Sequence, residues 1–415
     1  MSNPSIQTTN PLTEQPLKSY PMMSDAEAMD VVETSHAAFL EWRLKSPEER
    51  AGVIASIAKE LRNSKEEFAQ LMTDEVGKLI SDSREEIELC AGICDYTAKN
   101  GPEMLADEQH DVPSGRGLVT YSPMGVIYGI QPWNFPCYQA VRYSISSLMV
   151  GNGVLLKHSE NCTGSGLMLR EIYERAGLPK GLFGVLLISH DQSDAIIEHD
   201  LVRGVTLTGS DKAGRMVAQK AAAVAKKTVM ELGSNDAYMI FDDADLDLAI
   251  KTCVQGRLFN NGQTCVNAKR FIVTEKNYDA FVKGYADAFK AVTMGDPNKE
   301  ESGLGPLVSR KAWPMAQRSW PAGRFPIRPA GSIRPQRWLM WPLASQPMMT
   351  KYSALLPRLS RPGMTKMRCA LPMTAAMASA AGYSARMSIA RSGWRRPILT
   401  PAWSISIPTA LHRRT

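Results

Sequence analysis

The amino-acid sequence predicts an α/β protein with a parallel sheet, and two observations support this fold class. Between residues 125 and 292, short apolar runs alternate with longer segments in which apolar residues recur at helical spacing. Strands that alternate with helices in this way pair in parallel and are covered by the helices between them. The length of 415 residues allows two or more domains, and no segment of the sequence repeats another.

The predicted elements follow in chain order. Helical segments come first, at 25–42, 46–61 and 64–99, the last with Glu and Lys on its outer face. The predicted strands are 125–130, 153–157, 183–188, 204–207, 228–232, 237–241 and 270–274. The predicted helices that alternate with them are 138–150, 164–176, 212–224, 246–259 and 277–292.

Three short motifs supply the residue types needed for covalent chemistry at a carbonyl group. Gly-Gln-Thr-Cys ends at Cys265, Glu-Leu-Gly begins at Glu231, and Pro-Trp-Asn-Phe-Pro is centred on Asn134. A thiol can attack an aldehyde, while a side-chain amide and the backbone N–H of the cysteine hold the oxyanion. A carboxylate can activate water to hydrolyse the thioester left after a hydride departs. An isolated cysteine is usually structural, but this combination predicts a nucleophile.

In order and spacing, these motifs resemble those of the NAD(P)-dependent aldehyde dehydrogenase superfamily, and most closely its succinate-semialdehyde dehydrogenase branch. The resemblance covers residues 25–311. It implies that Cys265 is the nucleophile, Glu231 the general base and Asn134 the oxyanion donor. It also implies a small aldehyde as the substrate and a homo-oligomer as the intact assembly.

The resemblance implies a domain organisation as well. A Rossmann-like NAD-binding domain is expected at residues 1–231, with an oligomerisation strand segment near 115–131. The first part of an α/β catalytic domain, which carries the thiol, is expected at 232–311. The remainder, 312–415, has a different composition and is predicted to be disordered.

The usual dinucleotide fingerprint, Gly-x-Gly-x-x-Gly, is absent, and a loop of small residues stands after a predicted strand instead. Gly209, Ser210 and Gly214 belong to this loop, and their size would let a helix N-terminus approach a pyrophosphate. Taken alone, such a loop is often only a turn. The resemblance implies that it contacts the cofactor phosphate, and it adds Trp133 and Leu232 as further cofactor contacts.

A second cofactor contact is expected at the end of the strand 153–157, where α/β sheets bind ligands. The resemblance implies that Lys157, Ser159 and Glu160 lie against the adenosine ribose. The Glu160 carboxylate can accept hydrogen bonds from both ribose hydroxyls but repels a 2′-phosphate, which favours NAD over NADP. A solvated Lys–Glu pair is the alternative, and His158 between them is predicted to be a packing or surface residue.

Substrate choice depends on Arg142, on the helix that follows the Asn134 loop. The resemblance implies that an arginine at this spacing binds the carboxylate of a semialdehyde, a task suited to its bidentate geometry. A surface arginine is the alternative. Ser234 stands where a second glycine usually follows Glu-Leu-Gly, and it would be strained if that position required a positive φ.

The composition divides the chain into two unlike parts. All 42 Asp and Glu lie at or before Glu301, whereas 18 of the 48 Lys and Arg lie from Ser302 onward. The net charge of +6 therefore does not indicate a nucleic-acid partner, because the tail is rich in Trp and Met and unlike a basic arm. The same apolar residues argue against an ordinary disordered segment.

A shifted reading frame explains the tail better. When the third base of each codon is read with the first two of the next, the codons for 349–355 can encode Asp-Glu-Val-Phe-Gly-Pro. The codons for 370–382 can encode Leu-Ala-Asn-Asp-Ser-Arg-Tyr-Gly-Leu-Gly-Gly-Gly, and those for 400–408 can encode Thr-Gly-Met-Val-Tyr-Ile-Asn. All three resemble C-terminal motifs of the aldehyde dehydrogenases, in the family's order. We infer a frameshift near residues 311–314, which would leave this product inactive.

The remaining expectations concern location, metals and alternatives. Residues 1–24 do not resemble a signal peptide and no run of 18 apolar residues occurs, so we expect a cytoplasmic protein without a membrane partner. Seven cysteines without pairing logic fit a reducing compartment, and no metal-ligand set is present. A CoA-acylating aldehyde dehydrogenase and a non-catalytic remnant of the fold remain as alternative functions.

Overall fold

The computed structural model describes residues 4–113, 115–310 and 312, and the backbone of a strand at 367–369. Its helices are α1 Asp25–Trp42, α2 Pro47–Asn63, α3 Lys65–Val76, α4 Ile80–Met104, α5 Pro136–Val150, α6 Thr163–Arg175, α7 His190–Glu198, α8 Asp211–Ala223, α9 Leu246–Leu258 and α10 Tyr278–Lys290. Its strands are β1 Ser5–Thr9, β2 Pro16–Pro21, β3 Glu108–Val112, β4 Gly115–Val119, β5 Val126–Gln131, β6 Gly153–His158, β7 Phe183–Val185, β8 Val202–Thr208, β9 Lys227–Glu231, β10 Ala237–Ile240, β11 Arg270–Thr274 and β12 Met367–Cys369.

The predicted parallel α/β sheet is confirmed. Strands β5 to β9 pair in parallel in the spatial order β7-β6-β5-β8-β9. The chain runs outward from β5 to β7, then returns to the other side of β5 for β8 and β9. The loops after β5 and β8 therefore diverge at the carboxyl edge of the sheet, which is where such sheets bind ligands.

A helical layer built from α2, α4 and α5 packs beside this sheet. Its core contains fully buried side chains from several helices, including Trp42, Ile54 and Phe68. The indole N–H of Trp42 donates to the carbonyl of Leu148 at 2.9 Å, so the largest apolar side chain of α1 also has its polar atom satisfied on α5.

The predicted helix 64–99 is wrong as one element, because Gly77 divides it into α3 and α4. Gly77 has φ +72° and ends α3 with a left-handed cap in which its N–H donates to Thr73. A Cβ at this position would lie 2.8 Å from the Cγ atom of Pro306. The periodicity continues across Gly77, so the break is invisible in the apolar pattern.

A second, smaller sheet follows Glu231 in the chain. Strands β10 and β11 pair in parallel, and β12 pairs with β11 in antiparallel fashion. Helices α9 and α10 pack together, and Phe271, Phe281 and Tyr285 form an aromatic cluster with ring centroids 5.0–6.0 Å apart. This sheet has its own core and carries the Cys265 loop between α9 and β11.

Several predicted boundaries need correction. The hairpins β1–β2 and β3–β4 and the helix α7 were missed, since their residues are short, exposed or polar. The segment 115–131 is divided between the hairpin strand β4 and the central sheet strand β5, and its assembly role stays a prediction.

The disorder predicted for 312–415 concerns residues that lie outside the described part, apart from 312 and β12. Of the helices that the structure describes, none combines the length and apolar character of a membrane crossing.

We expect Gly77→Ala to lower the free energy of unfolding by about 2 kcal/mol or more, because an L residue is strained at this φ and its methyl group meets Pro306. Chemical denaturation of the two proteins measures the difference. Gly92→Ala is the matched control, since a Cβ there meets no heavy atom within 4 Å on α4. That change should be neutral or stabilising by up to about 1 kcal/mol. Equal losses in both variants would contradict our account of Gly77.

Candidate active site

Two loops that carry predicted catalytic residues meet at the carboxyl edge of the main sheet. Asn134 lies in the loop after β5, and its side-chain Nδ2 donates to the backbone carbonyl of Gln263 at 3.0 Å. Gln263 is two residues before Cys265. The Asn134 amide is therefore held against the loop that carries the thiol, although 129 residues separate the two bonded groups in the chain.

The turn that leads to Cys265 has an unusual backbone. Asn260 and Asn261 have φ values of 53° and 55°, and Gly262 follows with φ 72°. Asparagine tolerates this left-handed region better than other residues with a side chain, but each such position still costs of order 1 kcal/mol. Successive left-handed residues turn the chain sharply between the end of α9 and Cys265.

Buried amide hydrogen bonds hold this turn in place. Asn260 Nδ2 donates to the carbonyl of Asn134 at 2.6 Å, and Asn261 Nδ2 donates to the carbonyl of Gly77 at 2.8 Å. Asn261 Oδ1 accepts from the N–H of Gly305 at 2.9 Å. Sequence reasoning missed both asparagines. The Asn-Asn-Gly triplet was the available signal, since these residue types favour left-handed turns.

Two side chains hold the backbone carbonyl of Cys265. Ser234 Oγ donates to it at 2.6 Å and Lys269 Nζ donates to it at 2.5 Å. Burial lowers the pKa of Lys269, while the nearby Asp236 and Cys265 oppose that shift. Ser234 lies three residues after Glu231, so its bond links the strand of the predicted base to the loop of the predicted nucleophile.

The concern that Ser234 is strained is wrong. Among the described residues other than glycine, the positive φ values belong to Glu14, Ala225, Asn260 and Asn261. Ser234 has an ordinary backbone conformation, and its hydroxyl makes a contact that glycine could not make.

Glu231 ends β9, and its side chain is 40% exposed at the sheet edge. Arg142 Nη1 lies 3.7 Å from Glu231 Oε2, and Arg142 Nη2 donates to Thr208 Oγ1 at 3.1 Å. This ion pair is partly exposed and long, so it contributes little to stability. The structure therefore places the predicted substrate-binding arginine beside the predicted base, with its guanidinium at the ends of β8 and β9.

The loop after β8 is adjacent to Glu231. The N–H of Gly209 donates to the carbonyl of Glu231 at 3.0 Å, and Ser210 Oγ accepts from the N–H of Ala213 as the cap of α8. A Cβ on Gly214 would lie 2.4 Å from Leu232 Cδ2. Gly214 thus packs closely against the Leu232 side chain, while Ser210 is the N-cap of α8 and Gly209 precedes it.

Lys157, Ser159 and Glu160 lie at the end of β6, on the other side of β5 from β8. Burial lowers the pKa of Lys157, and the Glu160 carboxylate opposes that shift. The N–H of Ser159 donates to the carbonyl of Gln131 at 2.9 Å, and Thr163 Oγ1 donates to the carbonyl of Glu160 at 3.1 Å. The backbone of this edge is fixed, while the Glu160 side chain is exposed.

His158 is buried and Trp133 is partly buried, and the predicted cofactor contact of Trp133 stays a prediction. His158 is buried with its Nε2 atom 2.8 Å from the carbonyl of Pro136, and burial lowers its pKa to about 4. Trp133 packs partly buried against Val76 and Val308. Within the described residues, no group of three or more His, Cys, Asp or Glu side chains is arranged to bind a metal ion.

Comparisons with known proteins identify the family to which the chain is similar. A family model described as "Aldehyde dehydrogenase family" matches residues 1–320. Succinate-semialdehyde dehydrogenase [NADP(+)] of Deinococcus radiodurans is 40% identical over 305 residues, 74% of this chain and 64% of that protein. Succinate semialdehyde dehydrogenase [NAD(P)+] Sad of Escherichia coli is 38% identical over 299 residues, 72% of this chain and 65% of that protein. The chain thus spans slightly less than two thirds of these relatives.

The fold is also similar to that of solved structures. One is succinic semialdehyde dehydrogenase from Streptococcus pyogenes in complex with NADP⁺, which is 37% identical, with a TM-score of 0.74. The match covers 75% of this chain and 69% of that one. Another, solved to study cofactor and substrate selection by Gox0499, is 38% identical with a TM-score of 0.74, and covers 76% of this chain and 69% of that one.

We expect iodoacetamide to modify Cys265 at least about tenfold faster than Cys90, Cys94, Cys137, Cys162 or Cys253 in the folded protein at pH 8. Those five thiols are buried and burial raises the pKa of each, so little thiolate is present or reachable, whereas Cys265 is partly exposed. Peptide mass spectrometry over time measures each rate, and a sample unfolded in urea provides the reference. Equal protection of Cys265 would contradict this account of the site.

Proposed function

Because the chain belongs to the aldehyde dehydrogenase family, we propose that its in-frame part carries the nucleophile, oxyanion donor and base for NAD(P)-dependent oxidation of an aldehyde to a carboxylate. The observation that carries this proposal is the 3.0 Å hydrogen bond between the Asn134 amide and the Cys265 loop. It brings an amide donor to a partly exposed thiol at the sheet edge where Glu231 also lies.

The first half of the reaction belongs to Cys265 and Asn134. The Cys265 sulfur attacks the aldehyde carbon and a C–S bond forms, while the carbonyl oxygen becomes an oxyanion. The Asn134 Nδ2 group and the Cys265 backbone N–H donate to that oxygen. Ser234 and Lys269 hold the Cys265 carbonyl, which fixes the direction of the backbone next to the thiol.

The second half belongs to Glu231. When bound, a nicotinamide dinucleotide supplies the hydride acceptor. The residues at the sheet edge fit such a group, since Gly209 leaves room beside the N-terminus of α8 and Lys157 offers a cation at the end of β6. Glu231 then takes a proton from water, the water oxygen attacks the thioester carbon, and the C–S bond breaks to release the acid. A requirement for CoA in place of water would favour the acylating alternative.

We propose succinate semialdehyde as the substrate. The Arg142 guanidinium lies beside Thr208 and Glu231, the proposed base, and this position supports a role in binding the distal carboxylate of a short semialdehyde. The names of the relatives from Deinococcus radiodurans and Escherichia coli support the same substrate.

We propose that NAD is preferred over NADP, although the related enzymes carry NADP(+) or NAD(P)+ in their names. The exposed Glu160 carboxylate at the end of β6 supports this preference, because it would repel a ribose 2′-phosphate and accept hydrogen bonds from free hydroxyls.

The activity of the 415-residue product is a separate matter. The shifted codons under residues 349–355 would supply an Asp-Glu pair that the translated chain does not contain. Large apolar side chains near the site are also exposed, Val229 at 59% and Met239 at 42%. These observations support the proposal that this product lacks part of its catalytic domain and has little steady turnover.

We expect the 415-residue chain to reduce NAD with succinate semialdehyde at least about 10³-fold more slowly than a chain whose frame is restored near residue 311, because a cofactor carboxylate and part of the catalytic core are missing. Absorbance at 340 nm measures turnover.

In the restored chain, Cys265→Ser should abolish turnover, and Glu231→Gln should give one burst of NADH per site followed by slow deacylation. Full activity of the 415-residue chain would refute the frameshift account, and an active Cys265→Ser variant would refute the function.

We expect Glu160→Ser to tighten NADP binding by about tenfold, since removal of one nearby like charge in a partly exposed site is worth about 1–2 kcal/mol. NAD binding should weaken several-fold, because the ribose hydroxyls lose their acceptor. Titration of protein fluorescence with each cofactor measures both constants. Glu171→Ser, which removes an exposed carboxylate from α6, is the matched control and should change neither. An unchanged ratio in Glu160→Ser would contradict the preference for NAD.

A further inference from the structure

A fully buried ion pair lies under the Asn134 loop and takes no part in the chemistry described above. The side chains of Lys78 and Glu86 are 2% and 1% exposed, and Lys78 Nζ donates to Glu86 Oε2. Charged side chains are rarely buried this completely, because removing both from water costs more than their attraction returns unless further hydrogen bonds are made. The further contacts of this pair therefore indicate its purpose.

The second oxygen of Glu86 caps the helix that follows Asn134. Glu86 Oε1 accepts from the N–H groups of Cys137 and Tyr138, both at 2.9 Å. These are free donors in the first turn of α5, whose own N-cap residue, Phe135, makes no side-chain cap. A carboxylate here is also favoured by the helix dipole. Glu86, from α4, thus supplies the cap that the local sequence lacks.

Lys78 contacts Phe135, the residue that follows Asn134 in the same loop. Its Nζ atom lies 3.9 Å from the ring centroid of Phe135, a distance typical of a cation–π contact. The Phe135 ring also packs against the ring of Phe259, with centroids 5.9 Å apart, at the start of the turn that leads to Cys265. Lys78 itself follows Gly77, whose carbonyl holds Asn261.

We propose that the Lys78–Glu86 pair is the positioning device of the oxyanion donor. Its hydrogen bonds and ring contact fix the residues directly after Asn134, and so they fix the direction in which the Asn134 amide points. This inference rests on the proposed function, since it assigns Asn134 the oxyanion. An oxyanion donor acts only if it is held within a fraction of an ångström of the developing charge, which is why such a loop needs rigid support.

A second buried carboxylate offers a matched comparison. Glu75 accepts from the N–H groups of Gly164 and Ser165 at 2.8 and 2.9 Å, and so caps α6 as Glu86 caps α5. Helix α6 does not carry Asn134. Replacing Glu75 should therefore remove a cap of the same kind without moving the oxyanion donor.

The test compares two reactions of Cys265 in the full-length chain without cofactor. With p-nitrophenyl acetate, the thiolate attacks the ester carbon, an oxyanion forms, and its collapse breaks the C–O bond and releases p-nitrophenolate. With iodoacetamide, the thiolate displaces iodide at a saturated carbon and no oxyanion forms. The ratio of acylation rate to alkylation rate therefore reports on oxyanion stabilisation and is insensitive to simple changes in thiol exposure.

We expect Glu86→Leu to lower this ratio by about tenfold or more, and Asn134→Ala to lower it by about 10²-fold. The double variant Lys78→Met/Glu86→Gln keeps an acceptor for the helix N–H groups and should recover most of the wild-type ratio. Glu75→Leu should reduce thermal stability but leave the ratio within about twofold of wild type. If Glu86→Leu does not fold, Glu86→Asp, which withdraws the carboxylate by one methylene group, should lower the ratio in its place.

The possible failures are distinguishable. A wild-type ratio in the Glu86 variants, or an equal fall in Glu75→Leu, would overturn the positioning role while leaving Asn134 as the donor. A wild-type ratio in Asn134→Ala would instead overturn the proposed function of the site.

Discussion

The reciprocal hydrogen bonds between the Asn134 loop and the turn at 260–263 are the contact on which the site depends. Asn134 Nδ2 donates to the carbonyl of Gln263, and Asn260 Nδ2 donates to the carbonyl of Asn134. The two loops belong to different sheets with separate cores, so this exchange sets the distance between the oxyanion donor and the thiol. The left-handed backbone at Asn260 and Asn261 is tolerated because buried amides compensate its conformational cost.

Around this contact, buried polar side chains serve as supports for loops. Glu86 caps α5 and Glu75 caps α6, and each carboxylate replaces a local cap that the sequence lacks. The two differ in one respect. Glu86 is paired with Lys78, whereas burial raises the pKa of Glu75 to about 7. The cap of the helix that follows Asn134 is thus the one that has a buried ion-pair partner.

Ser234 and Lys269 likewise use polar side chains to support a loop, here the one that carries the proposed nucleophile. Both donate to the carbonyl of Cys265, and Lys269 is also held near Asp236. The Ser234 hydroxyl makes a hydrogen bond that a glycine at this position could not make. The Ser234 bond thereby joins the segment after β9, which carries Glu231, to the loop that carries Cys265.

The sequence by itself determined the α/β class and most strand and helix positions from β5 onward, and its motifs predict the roles of Cys265, Glu231 and Asn134. These are local properties, because apolar periodicity and short motifs are set by neighbours in the chain. It also revealed the compositional break after Glu301, for which we propose a shifted reading frame. The tertiary structure alone decided that Gly77 divides a helix, that Ser234 and Lys269 hold the Cys265 carbonyl, and that Lys78 and Glu86 lie beneath Asn134. Ser234 and Cys265 are 31 positions apart and Glu86 and Cys137 are 51 apart, so these contacts depend on where the folded chain returns and leave no periodic trace in the sequence. Lys269 reaches the Cys265 carbonyl from only four positions along the chain, but that contact depends on the turn between them.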